Sequence, residues 1–296
     1  MFPTIVCFGE ILWDILPTGR QPGGAPFNVA VHLHQLGMPV QFISCVGADE
    51  LGAELLTFVR SKHLAANLIQ TSSTHPTGVV RANVDNAHEV SYDIVEPVAW
   101  DFIQAKPEAL AAVATAGAFV FGSLGARQAG SRATLDQLLE SARFKVFDVN
   151  LRPPHYTRDV VEHLLAQASM VKVNEHELAE ITGWFGVEGA PEMALPWLAA
   201  RFGLQAVCVT LGAAGALLWT GGQCYRAPGV SVAVQDTIGS GDSFLAALLK
   251  GLLTGQEPGA ALRFACATGA YVAMHRGATP AFAEADVRAL MSPPVE

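Results

Sequence analysis

The sequence predicts an α/β fold: three layers, α/β/α, around a mostly parallel central sheet, with a small β lid beside it. Two patterns carry that expectation. Short continuous apolar runs, such as IVCF (5–8) and AVCVT (206–210), alternate with helical segments. Strands of this kind are buried on both faces, as in a parallel sheet covered by helices. Two stretches break the rhythm. EILWDILP (10–17) alternates, with Ile11, Trp13 and Ile15 on one side and Leu12, Asp14 and Leu16 on the other. GVVRANVDNAHEVSYDIV (78–95) reads as a hairpin turning near Asp85 and Asn86. Both look like half-exposed antiparallel strands, and together they make a lid that is discontinuous in sequence. At 296 residues the chain is long enough for a large core.

The elements follow in order. A strand is expected over 5–8, then a helix over 27–36 with Val29, Leu33 and Leu36 on one side and Gly37 as its stop. A strand over 40–45 and a helix over 51–64 come next. The charge-free stretch ALAAVATAGAFVFGSLGA (109–126) is nearly long enough to span a bilayer, but Thr115, Ser123 and glycines interrupt it. It reads as a helix end followed by a buried strand at 119–121. Helix 132–141, strand 146–149, helix 160–168, strand 171–173, and helices 175–182 and 191–202 follow. VCVTLGAAGALLW reads as two short buried strands around a glycine turn. Helices over 243–254, 259–275 and 284–291 finish the chain. There is no internal repeat and no low-complexity linker, so 1–296 reads as one domain.

Composition excludes several functions. The formal net charge is −9 and no run of four Lys/Arg exists, so no nucleic-acid partner is expected. MFPTIVCFGEILWD lacks the basic start of a leader peptide, and neither a membrane partner nor secretion is expected. Cys7, Cys45, Cys208, Cys224 and Cys266 are scattered singly and read as buried thiols of a reducing, cytoplasmic compartment. His32 and His34, two apart on a helix, read as surface residues. His176 has no partner at zinc-binding spacing.

Chemistry concentrates in two glycine turns. VQDTIGSGDSFLAALLKGLLTG (234–255) runs a Gly-Ser-Gly turn into an apolar helix, with Asp242 at the junction and Asp236 six residues earlier. A helix N-terminus gathers free N–H groups and suits an anion. Gly239 and Gly241 can take backbone angles closed to other residues, and Ser240 is placed to cap the helix. That helix is apolar nearly all round, so it belongs in the core, opening at the carboxyl edge of the sheet. From spacing alone the turn is either a phosphoryl anion hole or an ordinary turn with an acid near the helix dipole. GGAPFNVAVHLHQLG (23–37) sets Gly23 and Gly24 before a helix with Asn28 in its first turn. It is either a plain turn or a place where a ligand approaches the glycine backbone while Asn28 reads a hydroxyl. The P-loop, the third glycine of a dinucleotide fingerprint and the protein-kinase elements are all missing.

Taken together, GGAPFN and DTIGSGD closely resemble the paired signatures of the PfkB (ribokinase-like) carbohydrate kinase family. CFGEILWDILP, FDVNLRPP, VKVNEHELAEITG and VTLGAAGALLW occur in the family's order, and the resemblance runs from about residue 5 to 290. GEILWD, NLRPP and SYDIVEPVAWDF look most like fructokinases. The resemblance implies a ribokinase-like fold and transfer of the γ-phosphoryl of ATP to a hydroxyl of a small sugar. It makes Asp242 the general base, a role typically worth ~10²–10⁴-fold in rate. The backbone N–H groups of Gly239, Ser240, Gly241 and Asp242 become the anion hole. Ser240 stands where the family often has Ala, which leaves the backbone donors intact. Asp14, Gly24, Asn28 and Arg152 fall on the sugar side. Asn174, Thr210, Gly212 and Gly215 fall on the nucleotide side, with Gly239 and Gly241. Asn174 and Glu177 match the family's N-x-x-E and would order a hydrated Mg²⁺. The family's loops near Asp236 and Gly277 often hold a monovalent cation, which makes K⁺ a further expected ligand.

A neutral hexose such as fructose is the expected substrate. The alternative is 2-keto-3-deoxygluconate, with Arg81 and Arg152 available to its carboxylate, or another sugar or nucleoside of the family. Tyr92 is followed by the acid Asp93, which favours the neutral sugar. A catalytically silent sugar-binding regulatory paralogue is a reading of a different class; it would be expected to lose the base or the glycines. The exposed face of the lid also suits a homodimer.

Overall fold

A computed structural model describes residues 2–16, 19–84 and 90–291. In chain order its strands are β1 (Ile5–Phe8), β2 (Leu12–Leu16), β3 (Gly19–Gly23), β4 (Val40–Gly47), β5 (Ile69–Ser72), β6 (Gly78–Val84), β7 (Val90–Ile94), β8 (Ala118–Gly122), β9 (Lys145–Asp148), β10 (Met170–Asn174), β11 (Ala206–Thr210), β12 (Ala216–Thr220) and β13 (Gln223–Ala227). The helices are α1 (Ala25–Gln35), α2 (Glu50–Ser61), α3 (Pro107–Thr115), α4 (Ala129–Ser141), α5 (Arg158–Gln167), α6 (Glu175–Gly183), α7 (Pro191–Phe202), α8 (Ser240–Leu253), α9 (Pro258–Ala273) and α10 (Glu284–Met291).

Nine strands form one sheet in the order β13-β12-β11-β10-β9-β8-β1-β4-β5. From β11 to β5 all neighbours are parallel, and β12 and β13 add an antiparallel edge. Side chains alternate between the two faces of each strand, so a strand covered on both sides must be apolar throughout. In β1, Val6 and Phe8 pack into one layer with α3 to α7, whereas Ile5 and Cys7 pack into the other with α1, α2, α8, α9 and α10. The three expected layers are therefore present. The parallel strands end at a common edge, where Gly9, Asp148, Asn174 and Thr210 complete or follow β1, β9, β10 and β11.

Beside this core lies a four-stranded sheet in the order β3-β2-β6-β7. Two details differ from expectation. β2 and β6 run parallel, with Leu12 opposite Gly78 and Ile15 opposite Arg81, while the β2–β3 and β6–β7 pairs are antiparallel. The reason is that both strands leave the main body in the same direction. β2 continues from β1, and β6 starts beside Thr77, whose amide and hydroxyl donate to the two oxygens of Asp49 just beyond β4 (2.8 and 2.6 Å). Strand β3, reading GRQPG, was not expected either. Nothing in its composition favours a strand; the pairing with β2 imposes one. The turn near Asp85 and Asn86 lies outside the described residues, as does Pro17.

His32 corrects the sequence reading outright. It is fully buried, not at the surface. Its Nε2 donates to the Ala278 carbonyl (2.9 Å) and its ring stacks on Phe282. Helix α1 is covered on this side by the chain beyond α9, which the local spacing of the histidines does not reveal. His34 is half-buried. Four cysteines are buried and Cys224 is exposed, and none is in a disulfide. Among the described residues no helix is long and apolar enough to cross a membrane.

Candidate active site

The two glycine turns meet. The Nδ2 of Asn28, in the first turn of α1, donates to Asp242 Oδ2 in the first turn of α8 (2.8 Å). This contact joins motifs 214 residues apart, and packing of α1 on α8 holds it. The other amide atom, Asn28 Oδ1, is buried with no partner among the described residues. A buried acceptor left open is costly unless a ligand fills it, and a hydroxyl would.

Glycine is demanded here on two grounds. Gly24 has φ +118°, and a Cβ on it would collide with the Glu10 carbonyl. Gly239 caps α8 in the left-handed region at φ 76°, and a Cβ there would collide with the Ala278 carbonyl. Gly23 is needed for room, since a Cβ would strike the Asp14 carboxylate. Gly241 differs from expectation. Its backbone angle is ordinary, and the space a side chain would enter is taken by Lys172, whose Nζ lies 3.2 Å from that position.

Ser240 does not cap α8. Gly239 holds the cap position, and the Ser240 hydroxyl donates to the Gly269 carbonyl (2.9 Å). The Ser240 amide donates to Thr237 O (3.2 Å), so it is already in use. The amides of Gly239, Gly241 and Asp242 have no acceptor among the described residues. The turn therefore offers three open donors at a helix N-terminus, where an anion is favoured. Asp236 binds the turn from outside: its Oδ1 accepts from the Ile238 amide (3.0 Å) and its Oδ2 from the Gly277 amide (3.1 Å).

Four carboxylates, Asp242, Asp148, Asp14 and Glu10, crowd this end of the sheet. Burial pushes Asp242 up to about 6, Asp148 pushes the same way, and Lys172, the Asn28 hydrogen bond and Arg152 oppose it. Burial likewise lifts Asp14 to about 6 against the pull of Arg152. Glu10 rises to about 7, chiefly through burial, although it accepts the Ala25 amide at 3.1 Å. Its Oε2 is buried and has no partner among the described residues. Arg152 is exposed, and among the described residues its one hydrogen bond is to the Leu151 carbonyl (2.9 Å). A guanidinium that makes no ion pair among the described residues, set among the acids Glu10, Asp14 and Asp242, is available to a ligand.

Glu10 makes a prediction for stability. Its folded value of about 7 exceeds its usual 4.5, so the folded state holds the proton more tightly. That contribution is complete below the usual value and is lost as pH rises through about 7. Glu10→Gln should therefore raise the melting temperature of the ligand-free protein at mildly alkaline pH and flatten its decline with pH. Calorimetric melts across the neutral range read both effects. An unchanged pH slope would remove Glu10 as its source.

On the other side of the α8 turn is a cleft of about 260 Å³. Thr210, Gly212 and Gly215 line it, with Val230, Phe244 and Ala270 supplying flat apolar walls. It reaches the turn at Ser240 and Gly241. Asn174 is not part of its lining. Instead, Asn174 and Glu177 form a capping box on α6: Asn174 Oδ1 accepts the Glu177 amide (2.9 Å) and Glu177 Oε2 accepts the Asn174 amide (2.8 Å). Glu177 Oε1 accepts the Leu151 amide (2.9 Å). Both carboxylate oxygens are thus committed to backbone, each with one lone pair to spare. Such a pair fits an ion held through its own water shell and does not fit direct ligation. Among the described residues no group of three acids, histidines or cysteines could cage a metal.

The model of the pfkB family carbohydrate kinases matches residues 16–285. The chain belongs to this family. The pfkB chain is 32% identical over 259 residues to the fructokinase of Klebsiella pneumoniae, covering 82% of each protein. It is 30% identical to the aminoimidazole riboside kinase of Salmonella typhimurium, covering 81% of this chain and 78% of that one. Among solved structures it resembles the Vibrio cholerae O395 fructokinase in its fructose, ADP and calcium ion bound form, with TM-score 0.84, 25% identity, and 98% and 99% of the two chains covered. In this pfkB kinase, three polar residues of the site escaped sequence reasoning: Glu10, Asp148 and Lys172. A signal existed for the last two. Both are charges inside strands otherwise buried on both faces (VFD and VKV), and such charges need a partner.

Proposed function

We propose that this chain is a fructokinase, transferring the γ-phosphoryl of ATP to a hydroxyl of fructose. The observation that carries the reading is the Asn28–Asp242 pair standing between an apolar cleft and a group of sugar-sized polar contacts. ATP lies in the cleft lined by Thr210, Gly212 and Gly215, its γ-phosphoryl against the open amides of Gly239, Gly241 and Asp242. Fructose lies against Asp14, Gly24, Asn28 and Arg152. A hydroxyl of the sugar donates to the Asp242 carboxylate, and its oxygen attacks phosphorus in line with the departing ADP. The bond from the γ-phosphorus to the bridging oxygen breaks, the bond to the sugar oxygen forms, and the hydroxyl proton passes to Asp242. Asn28 fixes the carboxylate for that role, and the helix dipole favours its ionised form. When bound, Mg²⁺ neutralises charge on the β- and γ-phosphates; Asn174 and Glu177 would hold its waters.

The four-stranded sheet acts as a lid of this single domain, closing over the sugar and excluding water that competes for the phosphoryl group. Ile15 on β2 is 36% exposed, which supports pairing of two copies through that sheet. Backbone carbonyls near Asp236 and Gly277 offer oxygens to a K⁺ ion. Unpaired cysteines support a cytoplasmic protein.

A coupled ADP-release assay over fructose, ribose, aminoimidazole riboside and 2-keto-3-deoxygluconate tests the reading. Fructose should give the highest kcat/KM. Turnover highest with the riboside or the keto-acid moves the assignment to that substrate. No sugar-dependent ADP from any of them leaves the silent sugar-binding paralogue.

A further inference from the structure

The molecule contains a buried cation that the reaction above does not use. Lys172 lies within β10 and is 7% exposed. Its Nζ donates to Asp148 Oδ1 at 3.0 Å, because β9 and β10 place the two residues opposite one another. Asp148 Oδ2 is buried with no partner among the described residues. An ammonium carries three donors, and among the described residues this one makes a single hydrogen bond. Burial opposes the Lys172 charge, while Asp148, Glu177 and Asp242 all support it. A buried ion pair is a poor stabiliser compared with apolar residues of the same volume, so stability alone gives little reason to keep one.

Its position supplies a reason. The ammonium sits directly behind the α8 turn, 3.2 Å from where a Gly241 side chain would begin. Any residue larger than glycine at 241 would screen it from the turn. We propose that Lys172, oriented by Asp148, is a catalytic residue that donates a hydrogen bond to the phosphoryl group in transit. This rests on the kinase reading above. In the step, the γ-phosphorus loses its bond to the bridging oxygen, whose electron pair leaves with ADP. It gains a bond to the sugar oxygen, and the hydroxyl proton goes to Asp242. Lys172 keeps its proton throughout and neutralises the equatorial oxygens, which carry the charge that a helix N-terminus only partly offsets. Asp148 is a positioning residue acting through Lys172.

Lys172→Met in the full chain tests this, with ATP and fructose affinities measured by calorimetry beside steady-state kinetics. Turnover should fall by about 10²–10³-fold, as for loss of one oxyanion donor, with both affinities little changed. The single variant leaves Asp148 buried and unpaired and is liable to misfold. Lys172→Met combined with Asp148→Asn removes that burden and should show the same loss of kcat. A folded variant of either kind with near wild-type kcat overturns the proposal, as does one that loses affinity while keeping kcat. Wild-type turnover in the same assay separates two failures. A silent wild type overturns the kinase reading and this one with it; an active wild type beside an equally active Lys172→Met overturns the role of Lys172 alone.

Discussion

Asp242→Asn should lower kcat with ATP and fructose by about 10²–10⁴-fold, the range for loss of a general base. Asparagine keeps the size and can still meet Asn28, so affinities for both substrates should hold. The pH dependence is the sharper readout. As the proposed base, Asp242 works only when ionised, and burial lifts its pKa to about 6. Activity of the wild type should therefore rise as pH climbs through that value and fall below it. In the variant this acid limb should vanish from kcat. Stability should move the other way. Asp242 binds its proton more tightly when folded, so its ionisation at neutral pH costs stability, and asparagine lifts that cost. A variant that is faster to melt at neutral pH and retains the acid limb would show that Asp242 is structural and that another group is the base.

Gly239→Ala should be at least as damaging, with turnover reduced by more than ~10³-fold, since the amides of the turn move together. Two costs coincide at this position. The left-handed angle is strained for alanine, and the new methyl collides with the Ala278 carbonyl, so the backbone itself must shift. The amides of Gly241 and Asp242 shift with it. ATP affinity and melting temperature should fall along with kcat, unlike the outcome for Asp242→Asn. Gly255→Ala, at the far end of the same helix, is the control. Its φ is +78° but nothing lies within 4 Å of the added Cβ. It should lose about 1 kcal/mol of stability from the backbone angle and keep its turnover. Equal losses of activity in the two variants would mean that strain, not the displaced turn, is responsible.

Much of this molecule could be read from its sequence, for a physical reason. Buried parallel strands must be apolar on both faces, so β1, β8 and β11 stand out as uninterrupted runs. Glycine turns leading into helices are equally visible, and they carried Asp242 and Asn28. What stayed hidden depends on partners distant in the chain. Nothing near His32 announces that Ala278 and Phe282 will cover it. The parallel pairing of β2 with β6 follows from where Thr77 is tied, not from either strand. Ser240 looked like a cap by position, yet its hydroxyl turns to Gly269, on a helix that begins only later in the chain. Gly241 looked like a conformational glycine and is instead one that leaves room for Lys172. Local pattern points to a residue; the packing decides its environment, and for His32 and Ser240 it decides against the local reading.

Helix α1 has a consequence for how such an enzyme can diverge. One turn apart on its inner face, Asn28 grips Asp242 and His32 grips the carbonyl that backs Gly239. A rigid helical turn thus sets the spacing between Asp242 and the carbonyl behind Gly239, which the proposed mechanism makes the proton acceptor and the wall of the phosphoryl site. In the proposed mechanism one of the sugar contacts, Asp14, belongs to a different sheet, on β2. Changes in the recognised sugar can therefore accumulate in that outer sheet, like exchangeable jaws on a fixed chuck, while the machinery of transfer keeps its alignment.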